Sequence, residues 1–374
     1  MKYELVEIMK KIKVYITSIK QISAQQPLVD DWFEHPVFYT EPYIRALEPD
    51  YKQFFTPNEV RRLGKILKRA LIVSRQAMLE GGVPDAIITG TGLGCIENTE
   101  IFLNKLVREG EEMLNPTFFM QSTHNTISSL IAIDAKCYAY NNTYSHKGIS
   151  FECALQDAFL QCRDVDSSVT TALVGAHDEM TPDYFTLLKK GCYLGIPNQT
   201  FAGETAVAMM LSTEKTENSL CEIEEVEKFY TGTSHERLNP QSTEIMGWQN
   251  KSEMTENIDA IMIGVNNVAE NDKIYYENCA RLFPGIPLLQ YKNIFGESYT
   301  APALGVYAAA ICLQKGKIPE HLKIKTSDNK TSDCKKLDYK TLDVKLSGIG
   351  NAKKKILCYN HFEGKKHTFI LLSK

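Results

Sequence analysis

Residues Ser122 to Thr126, STHNT, set a histidine and an asparagine among hydroxyl side chains, between the aromatic run FFM and the apolar run ISSLIAI. The pattern reads as a strand running into a buried helix, with polar groups held at the junction, a place where many enzymes keep a nucleophile. A cysteine would be the natural nucleophile there, and none is present. His124 offers general-base chemistry, but a lone histidine at such a junction is more often a hydrogen-bonded structural residue. A second group with chemical potential lies in KNIFGES, where Glu297 follows Lys292. Glu297 can act as an acid; an ion pair with Lys292 is the commoner outcome. Asn266 and Asn267 read as turn residues that tolerate unusual backbone angles. His361 and His367 read as exposed strand-end residues, and Cys137 as a core residue.

The elements that must position these groups alternate along the chain. KVYITSIKQIS opens as a strand, and residues 26 to 58 read as an irregular loop. PNEVRRLGKILKRALIVSRQAMLEGG has helical spacing up to a Gly-Gly stop. DAIITGTGLGC is an apolar strand ending in a glycine turn, and NTEIFLNKLVREG a capped helix. After the STHNT stretch come a polar loop, the helix SFECALQDAFLQC and the strand SVTTALVGAHDEM. In the second half TAVAMMLST, CEIEEVEKFYTGT and IDAIMIGVNN read as strands. NDKIYYENCARLF and APALGVYAAAICLQKG read as helices, and KILCYNHFEGKKHTFILLSK as two short strands around a turn. Such alternation argues for an α/β fold with a buried sheet. The lysine-rich stretch from Lys323 to Lys355 reads as a solvated loop.

The 374 residues, 43% hydrophobic and 24% charged, suffice for a large core built as two domains or a duplicated fold. A net charge of −4 argues against nucleic acid as a partner. The ten cysteines are scattered without a C-x-x-C pair, so they read as reduced thiols and not as a disulfide framework or a metal site. The charged opening MKYELVEIMKKIKVYI is no signal peptide, and no run approaches the roughly 18 apolar residues that span a bilayer. The expectation is a cytoplasmic protein with no membrane association and no cofactor.

In order and spacing the chain resembles the β-ketoacyl-acyl-carrier-protein synthases, the thiolase-fold condensing enzymes. DAIITGTGLGCIENTEIFLNKLVREGEEMLNPTFF is similar to the family's glycine-turn strand and helix. SVTTALVGAHDEMTP resembles its A-G-G-x-E-x-x-T-P strand, and TFAGETAVAMMLST its G-E-G-A turn, which places Glu204 on the family glutamate as a structural turn residue. IPLLQYKNIFGESYTAPALGVYAAAICLQKGKIPEHL resembles the K-S-x-x-G-H turn, its helix and the following G-x-I-P-P. The resemblance implies a thiolase-like duplicated α/β/α/β/α five-layer sandwich. Its halves would be residues 1–215, with the nucleophile-position loop and the dimer interface, and residues 216–374, packed as one unit. The interface is expected around SFECALQDAFLQC and SSVTTALVG, with the strand at Val169 to Val174 as an edge that a second chain continues.

The family mechanism uses a cysteine at a helix N-terminus and two histidines. The resemblance puts His124 at the cysteine position, or Thr126 after a shift of two, with Asn125 between them. Gly264 falls at the first histidine, with Asn266 in its turn. Glu297 falls at the second, with Lys292 retained. The terminal N-x-F-G-F-G-G turn is reduced to NHFEGKKH, and His124, Glu297 and Phe362 are expected to line the substrate pocket. The three catalytic identities are absent. STHNTISSLIAI and IMIGVNN resemble a degenerate branch, the ketosynthase chain length factors of bacterial aryl-polyene and related pigment pathways. That branch implies a non-elongating subunit, in fatty-acid or polyketide-type biosynthesis, beside a catalytic ketosynthase and an acyl carrier protein. Two alternatives stay open: an acyltransferase or condensing enzyme using His124 or Glu297, and a homodimeric acyl-binding scaffold.

Overall fold

The computed structural model describes residues 12–111, 114–191, 193–195, 198–231, 258–324 and 354–374. Most of the lysine-rich stretch therefore lies outside the described residues. Among the described residues the strands are β1 (Val14–Ile22), β2 (Ala86–Gly90), β3 (Tyr140–Tyr144), β4 (Thr171–Asp178), β5 (Thr205–Ser212), β6 (Cys221–Tyr230), β7 (Ala260–Ile263), β8 (Leu288–Gln290), β9 (Lys355–Phe362) and β10 (Lys366–Ser373). The helices are α1 (Pro57–Arg62), α2 (Lys65–Gly81), α3 (Ile96–Glu109), α4 (Pro116–Met120), α5 (Thr126–Ala135), α6 (Ser150–Arg163), α7 (Pro182–Lys190), α8 (Ala269–Leu282), α9 (Lys292–Phe295) and α10 (Pro302–Lys315).

Two sets of five strands repeat one topology. The first runs β3-β2-β4-β5-β1 and the second β8-β7-β9-β10-β6. In each, the second strand is parallel to its two neighbours, and the last two pairings are antiparallel. A short antiparallel contact of Val14–Ile16 with Cys221–Ile223 joins the sets. One core cluster holds inward side chains of both sets (Ile88, Val174 and Met209; Met262, Cys358 and Ile370) together with Phe151 and Leu155 of α6 and Leu304 and Ile311 of α10. Helices α6 and α10 are thus the central layer. The outer face of the first set packs on α2 and α5, through Ile66, Ala70, Val73, Ile127 and Ile131. That of the second packs on α8, through Tyr275, Cys279 and Leu282. The layer order is α/β/α/β/α.

Burial explains why some elements were easy to read and others not. Strand β5 is buried on both faces and is apolar throughout its centre. Strand β3, YNNTY, is an edge paired only to β2, exposed to half-buried, and lacks the apolar alternation of a strand; the sequence reads as a loop, and the structure makes it a strand. The aromatic run before STHNT is not a strand. Asn115 accepts a bond from Thr117 N, Pro116 follows, and the segment turns into the short helix α4. The single helix expected from Pro57 to Gly82 is broken at Leu63 and Gly64, whose backbones are extended.

The strand expected as an edge at Val169 to Val174 lies inside the sheet. Strand β4 is no edge, since β2 and β5 flank it. Helix α6 is the centre of the sandwich, with Phe151, Ala154, Leu155 and Phe159 buried within the chain. No helix among the described residues is long and apolar enough to cross a membrane.

Candidate functional site

Parallel strands of an α/β fold leave a crevice beyond their carboxyl ends, where polar loops converge. Here the loops after β3 and β7, the end of β9 and the turn after α9 meet around a cavity of about 450 Å³. Lys147 and Gly148 come from the first loop, Asn266 from the second, Asn360 to Phe362 from β9, and Lys292 and Glu297 from α9 and its turn. Tyr184 and Leu188 of α7, with Tyr299, add an apolar and aromatic wall.

The polar floor is locked by hydrogen bonds. Lys292 Nζ donates to Glu297 Oε2 at 2.8 Å, and Asn266 Nδ2 donates to the same oxygen at 2.8 Å. Lys292 is buried, so this pair is held away from bulk solvent. The Asn266 turn is wrapped by Asp272, whose carboxylate accepts from Asn266 N and Asn267 N at 2.9 Å each; Asn267 takes a left-handed φ of 64°. Burial raises the Asp272 carboxyl above its ordinary value, against these backbone bonds. Asn271 Nδ2 donates to Asn266 Oδ1 at 3.0 Å, which fixes the amide orientation.

His361 and His367 are buried, not exposed strand ends. They sit on adjacent antiparallel strands facing α8, where the β9–β10 turn folds over their rings. His361 Nδ1 accepts from Gly364 N at 3.3 Å, and its Nε2 faces the Asn271 carbonyl oxygen at 3.0 Å. That pair requires the neutral tautomer with the proton on Nε2. Burial lowers the ring to about 3, in agreement.

Gly264 lies at the end of β7 beneath this floor. A Cβ there would stand 2.6 Å from the Tyr275 hydroxyl and 3.2 Å from the Tyr291 hydroxyl and Asn360 Oδ1. The space a side chain would need is already filled by polar groups. At Gly148 the intruder is Phe362, whose Cδ2 would lie 2.3 Å from a Cβ.

The STHNT stretch does not reach the cavity. His124 is exposed, and its ring covers Gly94 of the glycine turn, 3.1 Å from where a Cβ would be. Asn125 caps α5 without a side-chain bond, and Thr126 Oγ1 donates to the Met120 carbonyl at 2.9 Å. The strand-to-buried-helix junction that opens on the cavity is instead Tyr144 to Ser150, between β3 and α6. It carries Ser145, His146, Lys147 (φ 51°) and Gly148, and no cysteine. Among the described residues no cysteine lines the cavity. Cys95, Cys137 and Cys153 are buried elsewhere, and burial raises the thiols of Cys95 and Cys153. Glu204 is likewise outside the cavity lining. It accepts from Ala46 N and Met180 N and pairs with Arg69 at 2.9 Å, all buried. Lys147, Gly148 and Asn271 escaped the sequence reading, and Asn360 entered it only as the first residue of the NHFEGKKH turn. The Lys-Gly step before an apolar helix was the one signal for the first two, obscured because β3 reads as a loop.

A family model described as β-ketoacyl synthase, N-terminal domain, matches residues 42–260, more than half of the chain. The chain belongs to the β-ketoacyl synthase family. No curated protein matches it. Among solved structures it is similar to the ishigamide ketosynthase/chain length factor, with a TM-score of 0.72 and 15% identity over 97% of this chain and 99% of that one. A β-ketoacyl synthase from Burkholderia phymatum STM815 gives a TM-score of 0.73 and 14% identity over the same shares. A type II polyketide ketosynthase in complex with its acyl carrier protein gives 0.70 and 12%, again over 97% and 99%. At these identities the likeness shows the thiolase-like ketosynthase fold.

Proposed function

We propose that this ketosynthase-family chain is a non-elongating, chain-length-factor-like subunit. It would act beside a catalytic ketosynthase on acyl chains delivered by an acyl carrier protein, in fatty-acid or polyketide-type synthesis of the aryl-polyene or pigment kind. One observation carries the reading: the cavity at the ketosynthase crevice holds a Lys292–Glu297–Asn266 cluster with a neutral His361, and among the described residues no thiol lines it. Without a thiolate there is no thioester to extend. A carboxylate held by an ammonium and an amide is a poor acyl acceptor, but it gives the pocket a fixed shape.

A partner surface supports the same reading. Among the described residues β3 is paired on one side alone, to β2, and Ile133 of the helix packed against it and Tyr138 just before it are exposed. Exposed apolar side chains along a sheet edge favour pairing with another chain. The similar structures include a ketosynthase/chain length factor and a ketosynthase with its acyl carrier protein.

The test is mass spectrometry of the purified chain after incubation with acyl-carrier thioesters, followed by co-purification with candidate ketosynthases. No adduct on the isolated chain and a stable complex with an intact ketosynthase are expected. A stoichiometric acyl adduct on a cavity residue would establish the enzyme reading instead.

A further inference from the structure

Beneath the cavity floor lies a second, much smaller space of about 10 Å³, lined by Glu152, Tyr291, Asn360 and Thr368 among others. Three polar atoms of these residues, Glu152 Oε2, the Tyr291 hydroxyl and the Thr368 hydroxyl, are buried and have no hydrogen-bond partner in the protein. Buried polar atoms without partners are rare because each forfeits its solvation. A polar space of roughly 10–15 Å³ with two to four partners is what one water requires. The volume suits one water, and all three residues with an orphaned atom line the space, whose remaining walls, Met262, Val306 and Ile370 among them, are largely apolar.

Glu152 stands in the first turn of α6, directly behind the junction that opens on the cavity, and is fully buried. Its Oε1 accepts from Asn360 Nδ2 at 2.6 Å. The same amide nitrogen donates to the Gly148 carbonyl at 3.1 Å, and Asn360 Oδ1 accepts from the Tyr275 hydroxyl at 2.8 Å. Both N–H donors of the amide are therefore used, and it ties β9 to the junction of the other strand set.

We propose that one ordered water fills the small space, bridging Glu152 Oε2, the Tyr291 hydroxyl and the Thr368 hydroxyl, and that Glu152 with this water is the positioning residue that holds Asn360 against Gly148 at the cavity floor. The groups that face the carboxyl are Lys292 from α9, Lys228 from β6, the Tyr291 hydroxyl and Cys153 of its own helix. Burial pushes Glu152 up to about 7, against the Asn360 bond and the two lysine charges. Protonated, the carboxyl donates to the water and keeps an acceptor for Asn360; ionised, the water must turn and donate. A carboxyl raised in the folded state favours folding at low pH. Its contribution is complete below about 4.5 and is lost as pH rises through about 7.

A high-resolution crystal structure of the wild type tests the water, and thermal denaturation between about pH 4.5 and pH 8.5 tests the carboxyl. A density peak within hydrogen-bond distance of all three atoms is expected, weakened or displaced in Thr368→Val. Glu152→Gln keeps the Asn360 bond and the fold, and it should remove part of the fall in Tm with rising pH. Glu152→Leu should lower Tm at every pH, with Gln rescuing most of that loss. If the Leu variant does not fold, the Gln and Val variants carry the test. An empty space in the wild type, or a Glu152→Gln profile parallel to that of the wild type, overturns the proposal.

Discussion

The loops that follow β2 and β7 occupy equivalent places in the two strand sets, and each is wrapped by one buried aspartate. After β2, Asp178 Oδ1 accepts from Gly92 N, Leu93 N and Thr91 Oγ1, and Tyr299 packs against Gly92, where a Cβ would come within 2.3 Å. This aspartate arrives from the end of a neighbouring strand, β4. After β7, Asp272 arrives from the helix that immediately follows and accepts from the backbone N–H groups of Asn266 and Asn267, with a further side-chain bond to Asn271 of its own helix. The Asn266 side chain is left free to reach Glu297 and the cavity. One topology thus yields a sealed turn in the first set and a polar, side-chain-presenting turn in the second. The difference lies in how much of each loop the aspartate consumes.

Replacing the two aspartates is the strongest way to break this comparison. Asp178→Ala strands three donors, one buried and two half-buried, and is expected to cost about 4 kcal/mol, against about 2 kcal/mol for Asp272→Ala. Urea denaturation measures both, and equal losses would show that the two turns are not differently loaded. Lys292→Met comes next. It leaves Glu297 in the floor with Asn266 alone, and a loss of about 3 kcal/mol is expected, largely restored by adding Glu297→Gln. A double-mutant cycle without that restoration would mean the pair is not coupled.

Two buried histidines sharpen the comparison. His177, on β4, has neither ring nitrogen bonded, whereas His361 has both engaged. His177→Leu is expected to stay within about 1 kcal/mol of wild type at pH 7, and His361→Leu to lose about 2 kcal/mol by orphaning Gly364 N and the Asn271 carbonyl. Burial holds both rings down at about 3. A base depressed in the folded state contributes stability that is present above about pH 6.5 and is lost as pH falls toward about 3. Either substitution should therefore flatten the acid side of the stability profile, as melting curves between about pH 4 and pH 7 would reveal. The smallest effect belongs to His124→Ala. The side chain is exposed and outside the cavity, so stability should change by less than about 0.5 kcal/mol. Turnover of a reconstituted pair should stay within about twofold; a hundredfold loss would make His124 chemically active.

Much of the fold was legible because its elements are long and buried. The runs that became β1, β4, β5, β7 and α10 are apolar enough to be read from one side, and their order with the intervening glycine turns carried the family resemblance. The edge strand β3 was not legible: with one neighbour and little burial, YNNTY has no need of apolar residues. That one misreading hid the strand-to-helix junction that opens on the cavity. With β3 taken for a loop, the next plausible junction upstream was STHNT, which the structure places between two helices. The site residues of the second set fared better. Asn266, Lys292, Glu297 and Phe362 do line one cavity, since tight turns fix them close to their strands and helix.

The sequence by itself determined the family, the alternation of strand and helix, and the absence of a cysteine at either candidate junction, because these depend on residue types and on periods of two and 3.6 along the chain. Only the tertiary structure decided which junction faces the cavity, that His361 and His367 are buried and His361 neutral, and that Gly264 has no room for a side chain. Those facts depend on Tyr275, Tyr291, Asn360 and Gly148, residues distant in sequence that the folded strands bring against one another. No local pattern encodes a contact between chain segments so far apart.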